Sequence, residues 1–469
     1  MTTRDIPESI ISPIRSVRIE NFRGVRDLTI DLDDKVTVFF GVNAAGKTTL
    51  LDAIAIGLGT IVTRVPKARG ISFERHGDIR VPWKDNTGWK ESLGVERPFA
   101  RITLKSANGL EWDVQKLRWA GQKPAASVGV KRLHAVLDPV VAEALESGGD
   151  TANVQRPLPL VAAYGTERSV VAVPLRKRNF NAEFSRFGAL DEALKTGTRF
   201  KTVFEWFVVC EDEERRERGR RKDFDYRHPT LEWVRGAVKR AGLRCQNPRI
   251  ETRPNLRMIV DFLHDDGSLE ALDIASLSDG YRTHFALVVD IARRMVQLNP
   301  SDDLNAPDRG TNSEAVILID EIDLHLDPTW QATVVKGLRT AFPRAQFVLT
   351  THSEQVIGSV PSSSVRKLVA GDGEVLIENV PFAEGATSER ILIELMGARE
   401  RPGEVSDGKN TKRLSDYMEM VGRGGGETEA ARQLRAELDV ALPGDERLHQ
   451  ADLEMQKVAL LRRIKGDAR

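Results

Sequence analysis

Gly41-Val42-Asn43-Ala44-Ala45-Gly46-Lys47-Thr48 is the stretch whose reading decides the fold. It fits G-x-x-x-x-G-K-[ST], a spacing in which glycines let backbone N–H groups wrap phosphate oxygens, a lysine reaches the β and γ positions, and a hydroxyl takes Mg2+. Lys47 is that lysine and Thr48 that hydroxyl, with Thr49 next to them. The flanks agree: Lys35 to Phe40 is β-branched and aromatic, and Thr49 to Leu58 reads as an amphipathic helix. The loop therefore joins a strand to a helix whose N-terminal dipole faces the phosphates.

Further along, Ala315 to Ile319 is a short unbroken apolar run, the mark of a strand buried on both faces of a parallel sheet. It delivers Asp320-Glu321 at its C-terminal end, where ligand chemistry sits in open α/β sheets. Asp320 is placed to hold Mg2+ through water, and Glu321 to orient and deprotonate an attacking water. A second such strand, Gln346 to Thr350, ends at Thr351-His352-Ser353. There His352 is a candidate for contacting the γ-phosphate rather than a metal. The expected fold class is α/β, a P-loop NTPase.

Leu277-Ser278-Asp279-Gly280-Tyr281-Arg282 resembles the signature motif of ABC-type ATPases, L-S-G-G-x-[QR], with Asp279 replacing the first glycine. The resemblance implies ATP and Mg2+ as cofactors and a dimer in which Ser278, Asp279 and Gly280 act in trans, on nucleotide held by the opposite subunit. The plain alternative is a turn that caps the helix Tyr281 to Val296, and both can hold together. Within the ABC class the chain is similar to the SMC/RecF/OLD-like branch: in the opening strand and Phe-Arg-Gly turn of Val17 to Gly24, in Asn43 of the loop, and in Asp320 to Trp330. Asp327 stands where many relatives have His.

Composition adds bounds. The 469 residues are 41% hydrophobic, enough for a substantial core in two or three lobes. Lys+Arg and Asp+Glu are both 69, so any contact with nucleic acid must come from a local patch. Cys210 and Cys245 are far apart, which rules out a disulfide framework and a C-x-x-C zinc site. No apolar run approaches the roughly 18 residues that span a bilayer, so a cytoplasmic location without membrane contact is expected.

The antiparallel β portion of an ABC-type head, beside the P-loop, is expected from a hairpin of Ala100 to Lys105 with Leu110 to Arg118 together with a buried strand Leu158 to Tyr164. A helical lobe over about 179–245 carries Phe200, Val203, Phe204 and Phe207 on one face, and a second hairpin turns at Asp265-Asp266-Gly267 into Leu277. Glu211 to Arg227 mixes charges at helical spacing and reads as a solvated face, with Arg218 to Lys222 its one locally basic run; Arg176-Lys177-Arg178 is a shorter one. An ATPase domain over 1–384 is then followed by helices at Ser388–Met396, Asn410–Val421, Glu427–Leu438 and Asp445–Ile464, a C-terminal assembly or partner-docking region over 385–469.

Thr387 to Leu392, Met396-Gly397, Arg399 to Pro402, Tyr164 to Arg168 and Phe204 to Phe207 resemble segments of PtuA-type ATPase subunits from Septu and retron-linked anti-phage systems. That resemblance implies slow hydrolysis of ATP to ADP and phosphate, a homodimer or higher homo-oligomer, an HNH-type nuclease partner, and DNA or a retron nucleic acid as a further contact. The eight histidines form no H-N-H pattern, so the chain reads as regulator rather than nuclease. A RecF-like repair ATPase and a nucleotide-dependent scaffold are the alternatives.

Overall fold

A computed structural model of the chain describes residues 13–82, 95–119, 121, 126–146, 156–169, 184–195, 200–252, 255–371, 374–398, 409–443 and 445–466. Two compact units meet in sequence between Ile391 and Leu392.

The first unit is built on a six-stranded sheet. Its order is β13 (Glu374–Asn379), β12 (Val365–Gly371), β3 (Val36–Phe40), β11 (Ala345–Thr351), β10 (Ala315–Ile319) and β6 (Leu160–Tyr164). Every neighbouring pair is parallel except β12 with β13, so the strand expected in the antiparallel portion at Leu158 to Tyr164 is instead β6, a parallel neighbour of β10. In β3, β6, β10 and β11 every residue is buried. That accounts for their largely apolar sequences, since a strand covered on both faces has no polar side to alternate with.

A second, antiparallel sheet runs β2 (Val25–Asp31), β1 (Ile14–Phe22), β4 (Phe99–Ser106), β5 (Glu111–Leu117). The Gln346 side chain clamps the two sheets together: its Oε1 accepts from Ile14 N at 2.9 Å, while its Nε2 donates to Ile14 O and Asp33 O at 2.8 Å. Between the sheets lies α1 (Lys47–Val62), touching β1, β4 and β5 on one side and β6, β10 and β11 on the other. The amphipathic helix expected at Thr49 to Leu58 is therefore corrected. The helix is there but is buried almost all round, and the small residues Ala53, Ala55, Gly57 and Gly59 let strands approach from both sides.

Outside these layers, α2 (Lys131–Glu146) packs on β5, and α3 (Phe200–Arg221) and α4 (Pro229–Arg240) pack with α5 (Asp279–Leu298). A three-stranded antiparallel sheet, β7 (Cys245–Glu251), β8 (Arg257–Leu263) and β9 (Leu269–Asp273), leads into α5. Phe200, Val203, Phe204 and Phe207 are buried, as their spacing predicts. The charged continuation of α3 departs from expectation. Ion pairs Arg215–Glu211, Arg218–Glu214 and Arg221–Glu217 do form at i, i+4, yet Glu211 and Glu214 are interior, accepting from Ile250 N at 2.9 Å and His228 N at 2.8 Å. Arg218, Arg220 and Arg221 pair with Glu214 and Glu217, while Arg220 and Arg221 stay exposed to solvent. Arg176 to Arg178 lie outside the described residues.

Short helices α6 (Pro328–Gln331), α7 (Val334–Ala341), α8 (Glu354–Gly358) and α9 (Ser388–Arg390) complete the first unit. Residues just past Glu384 remain tied to α8: Gln355 Nε2 donates to Ser388 Oγ at 2.6 Å, and Gly385 N to Gly358 O at 3.0 Å. The second unit contains α10 (Lys409–Gly422), α11 (Glu429–Ala441) and α12 (Glu446–Gly466), closed around Leu414, Tyr417, Val421, Ala431, Leu438 and Leu448.

Candidate active site

The parallel register brings three loops to one edge. Thr351 pairs with Phe40 and Ile319 with Leu349, so the chain leaves β3, β10 and β11 side by side at their C-terminal ends. The first exit is the glycine-rich loop. Ala44 and Gly46 have φ of 64° and 96°, a left-handed path that turns the loop back on itself before α1 begins, and Gly41 passes close under the carbonyl of Leu368. Amide hydrogens of the first turn of α1 have no intrahelical acceptor and are available to an anion. Lys47 Nζ donates to Gly41 O at 2.9 Å and Val42 O at 3.1 Å, curling over the loop it belongs to. Burial pushes its ammonium pKa down, against the opposing charges of Asp320, Glu321 and Asp323. Val42, Asn43, Ala44 and Thr48 are exposed, Ala45 is buried and Thr49 half-buried.

At the second exit, Thr48 Oγ1 donates to Asp320 Oδ2 at 2.9 Å. The hydroxyl and carboxylate expected to share Mg2+ thus face one another, and this hard-oxygen pair beside a helix N-terminus fits that ion, with phosphate oxygens able to complete its shell. Bound there, Mg2+ would neutralise charge on the β and γ oxygens. Glu321 follows with φ of 48°, a sharp reversal that takes its side chain out of the strand direction. Thr350 Oγ1 accepts from Glu321 N at 2.8 Å and donates to Asp320 Oδ1, so one hydroxyl on β11 links both acids.

The third exit carries His352. Its backbone N donates to Asp323 Oδ1 at 3.3 Å, and Thr351 Oγ1 donates to the same oxygen at 2.6 Å. Ser353 caps α8 and donates through Oγ to Gln331 Oε1 at 2.7 Å, which fixes the loop carrying His352 against α6. Lys47, Thr48, Asp320, Glu321 and His352 therefore belong to one edge of the sheet.

Ser278, Asp279 and Gly280 open α5 elsewhere. Among the described residues no hydrogen bond joins them to residues 41–49. Ser278 occupies the N-cap position, but its side chain makes no capping bond; Ser278 and Asp279 are exposed, and Asp279 pairs with Arg282. Gly280 is buried with its Cα directed at the loop after β10: a Cβ there would lie 2.2 Å from His325 O. Tyr281 stacks edge-on against Trp330 at 4.3 Å, so α5 and the Asp320 to Trp330 stretch form one packed corner. Asp327, the departure from the usual His, caps α6 by accepting from Thr329 N and Trp330 N.

Sequence reasoning missed three contributors. Arg168, just after β6, is buried and its guanidinium donates to Gly165 O at 2.8 Å and to the carbonyls of Asp320 and Glu321. Burial pushes its pKa down to about 10, opposed by Asp320, Asp323 and Glu321. Thr350 is legible only as the last residue of a strand. Arg23, in the Phe-Arg-Gly turn, donates to Asp52 Oδ2 at 2.5 Å and Asp78 Oδ1 at 2.9 Å, tying that turn to α1 one helical turn beyond Thr48. A cleft of about 960 Å3 among the described residues opens there, bordered by Arg23, Thr48, Asp52 and Glu167.

Motif order and sheet geometry together define an α/β P-loop NTPase fold whose motifs resemble those of ABC-type ATPases of the SMC/RecF/OLD-like branch. Comparison with known families agrees: residues 16–205 match an AAA domain model, and residues 186–358 match a second AAA domain model whose description adds the AbiEii toxin of type IV TA systems. Among individual proteins, the chain is 27% identical to the Retron Ec83 probable ATPase of Escherichia coli over 95% of its own length and 86% of that protein. It is 25% identical to the Septu protein PtuA of Bacillus mycoides over 78% of this chain, spanning 40% of that relative. An Smc head bound to the C-winged helix domain of ScpA aligns over 79% of this chain and 98% of its own at 13% identity and a TM-score of 0.41, too loose a superposition to bear on function.

Proposed function

We propose that the chain binds and slowly hydrolyses ATP, dimerises around two Mg·ATP, and regulates a partner nuclease in prokaryotic anti-phage defence. The observation that carries the hydrolysis is the convergence of Lys47, the Thr48–Asp320 pair and Glu321 on one sheet edge. Similarity to a retron ATPase along nearly the whole chain supports the defence setting. In this reading Lys47 and the amides of residues 44–49 bind the phosphates, Thr48 and Asp320 hold Mg2+, Glu321 takes the proton from water, and His352 meets the γ-phosphate.

Ser278 and its neighbours complete the site from a second copy. One feature favours that role for Ser278, whose exposed hydroxyl makes no capping bond to its own helix, whereas Gly280 is buried against the loop after β10 and serves packing within the chain. The helices of 385–469 serve assembly with further copies or with an HNH-type nuclease. No helix among the described residues is long and apolar enough to cross a membrane.

The decisive experiment purifies the chain alone and together with the product of its neighbouring gene, then measures ATP turnover and the mass of any complex. Turnover with a nuclease-containing complex is expected. Turnover without such a complex, with ATP-dependent loading onto gapped DNA, would favour a RecF-like repair role; nucleotide-dependent dimers without turnover would make the protein a scaffold. Truncation after Ile391 is expected to leave ATP binding intact while the higher-order complex is lost.

A further inference from the structure

We infer that Arg168 is a positioning residue for hydrolysis, holding the backbone of Glu321 so that its carboxylate points at one place; the inference rests on the ATPase reading above. The problem it solves arises where β10 ends. Asp320 N still donates to Tyr164 O of β6 at 2.8 Å, and Ile322 N to Thr350 O of β11 at 3.0 Å. Between them Glu321 is in the left-handed region, which is unfavourable for a residue with a Cβ and persists only where surroundings over-determine it. Past the reversal the Glu321 carbonyl accepts from Leu324 N at 3.0 Å, and both it and the Asp320 carbonyl have lone pairs open to side-chain donors.

Arg168 supplies them. Its side chain is 2% exposed, and its planar fork reaches Asp320 O and Gly165 O through Nη1 and Glu321 O through Nη2. These three acceptors are all backbone carbonyls, so what the site uses is the fork geometry, which an ammonium cannot reproduce. Thr350 does the complementary work by accepting Glu321 N–H. With its N–H and its C=O both gripped by side chains from neighbouring strands, Glu321 has little freedom left to swing its carboxylate, and a base displaced by about 1 Å can cost on the order of 100-fold in rate.

The test compares wild type, Arg168→Lys and Arg168→Met, each alone and combined with Glu321→Gln, for Mg·ATP affinity by titration with a fluorescent ATP analogue and for kcat. Both Arg168 variants are expected to bind with wild-type Kd and to lose about 100-fold in kcat, with Arg168→Lys no better than partly restored. In the Glu321→Gln background neither should cause further loss, because the residue they position has gone. Wild-type kcat in Arg168→Met, equal fold-losses in both backgrounds, or loss of nucleotide binding and of a cooperative melt would each overturn the assignment. Full turnover by Arg168→Met beside an inactive Glu321→Gln sinks the Arg168 role alone, whereas a wild type that binds ATP without turning it over sinks the ATPase reading beneath it.

Discussion

Thr48 Oγ1 lies 2.9 Å from Asp320 Oδ2, although 272 residues separate them. The pairing joins the first turn of α1 to the end of β10, and it is the point at which the two sequence motifs become one site. Replacing Asp320 by Asn should leave the P-loop folded but raise the Mg2+ concentration needed for half-maximal ATP binding by about 10- to 100-fold, the usual effect of losing a carboxylate that orients a metal shell. A Mg2+ titration of analogue binding that overlays wild type would remove Asp320 from that role.

Glu321→Gln should retain ATP binding and slow hydrolysis by about 10²–10⁴, the worth of a positioned base. Lys47→Ala should behave in the opposite way, weakening binding itself. Comparing Kd with kcat for the two variants separates these roles, and near-normal turnover in Glu321→Gln would show that another group deprotonates the water.

Ser278→Arg should abolish hydrolysis while each subunit still binds nucleotide through its own loop, since the exposed Ser278 makes no bond within its helix cap. A light-scattering measurement with ATP and Mg2+ should find the variant monomeric where Glu321→Gln dimerises. A fully active Ser278→Arg monomer is incompatible with a shared site.

Gly280→Ala should destabilise by about 1–3 kcal/mol through overpacking, because its Cβ would sit 2.2 Å from the backbone oxygen of His325 rather than against a side chain that can yield. Gly24→Ala is the matched control: nothing lies within 4 Å of its Cβ, and a change within about 0.5 kcal/mol is expected. Equal melting shifts in the two variants would contradict the close packing of α5 on the loop after β10.

His284 is buried on α5, and burial, aided by the nearby Arg168 charge, pushes its pKa from 6.5 down to about 4. The folded protein thus keeps it neutral while the unfolded chain takes up a proton below about 6.5. Its contribution is present above that pH and is lost as pH falls from 6.5 towards 4, amounting to on the order of 3 kcal/mol. His284→Gln should therefore flatten the fall in urea midpoint between pH 7 and pH 5; a variant as acid-sensitive as wild type would place the effect in other groups.

Much of the head was legible in the chain itself because its signals are local. A glycine-rich loop between a strand and a helix, the five-residue apolar run of β10 and the β-branched and apolar stretch of β11, and acids or a histidine immediately after them are properties of adjacent residues, and physical chemistry constrains each without knowing the rest. The turn at Asp265-Asp266-Gly267 was legible for the same reason: Asp266 accepts from Ser268 N two residues on, at 2.8 Å. What tertiary structure alone decided are relations between distant residues. The helix after the loop has an amphipathic-looking sequence but lies between two sheets, and burial on its second face depends on β4 and β5, far away in the chain. Glu211 and Glu214 follow a helical charge pattern, yet β7 and the start of α4 turn them inward by offering amide donors. Nothing local to Arg168 or Thr350 marks either as part of the site, and they join it only because β6 and β11 flank β10 and so bring a guanidinium to the Glu321 carbonyl and a hydroxyl to its N–H.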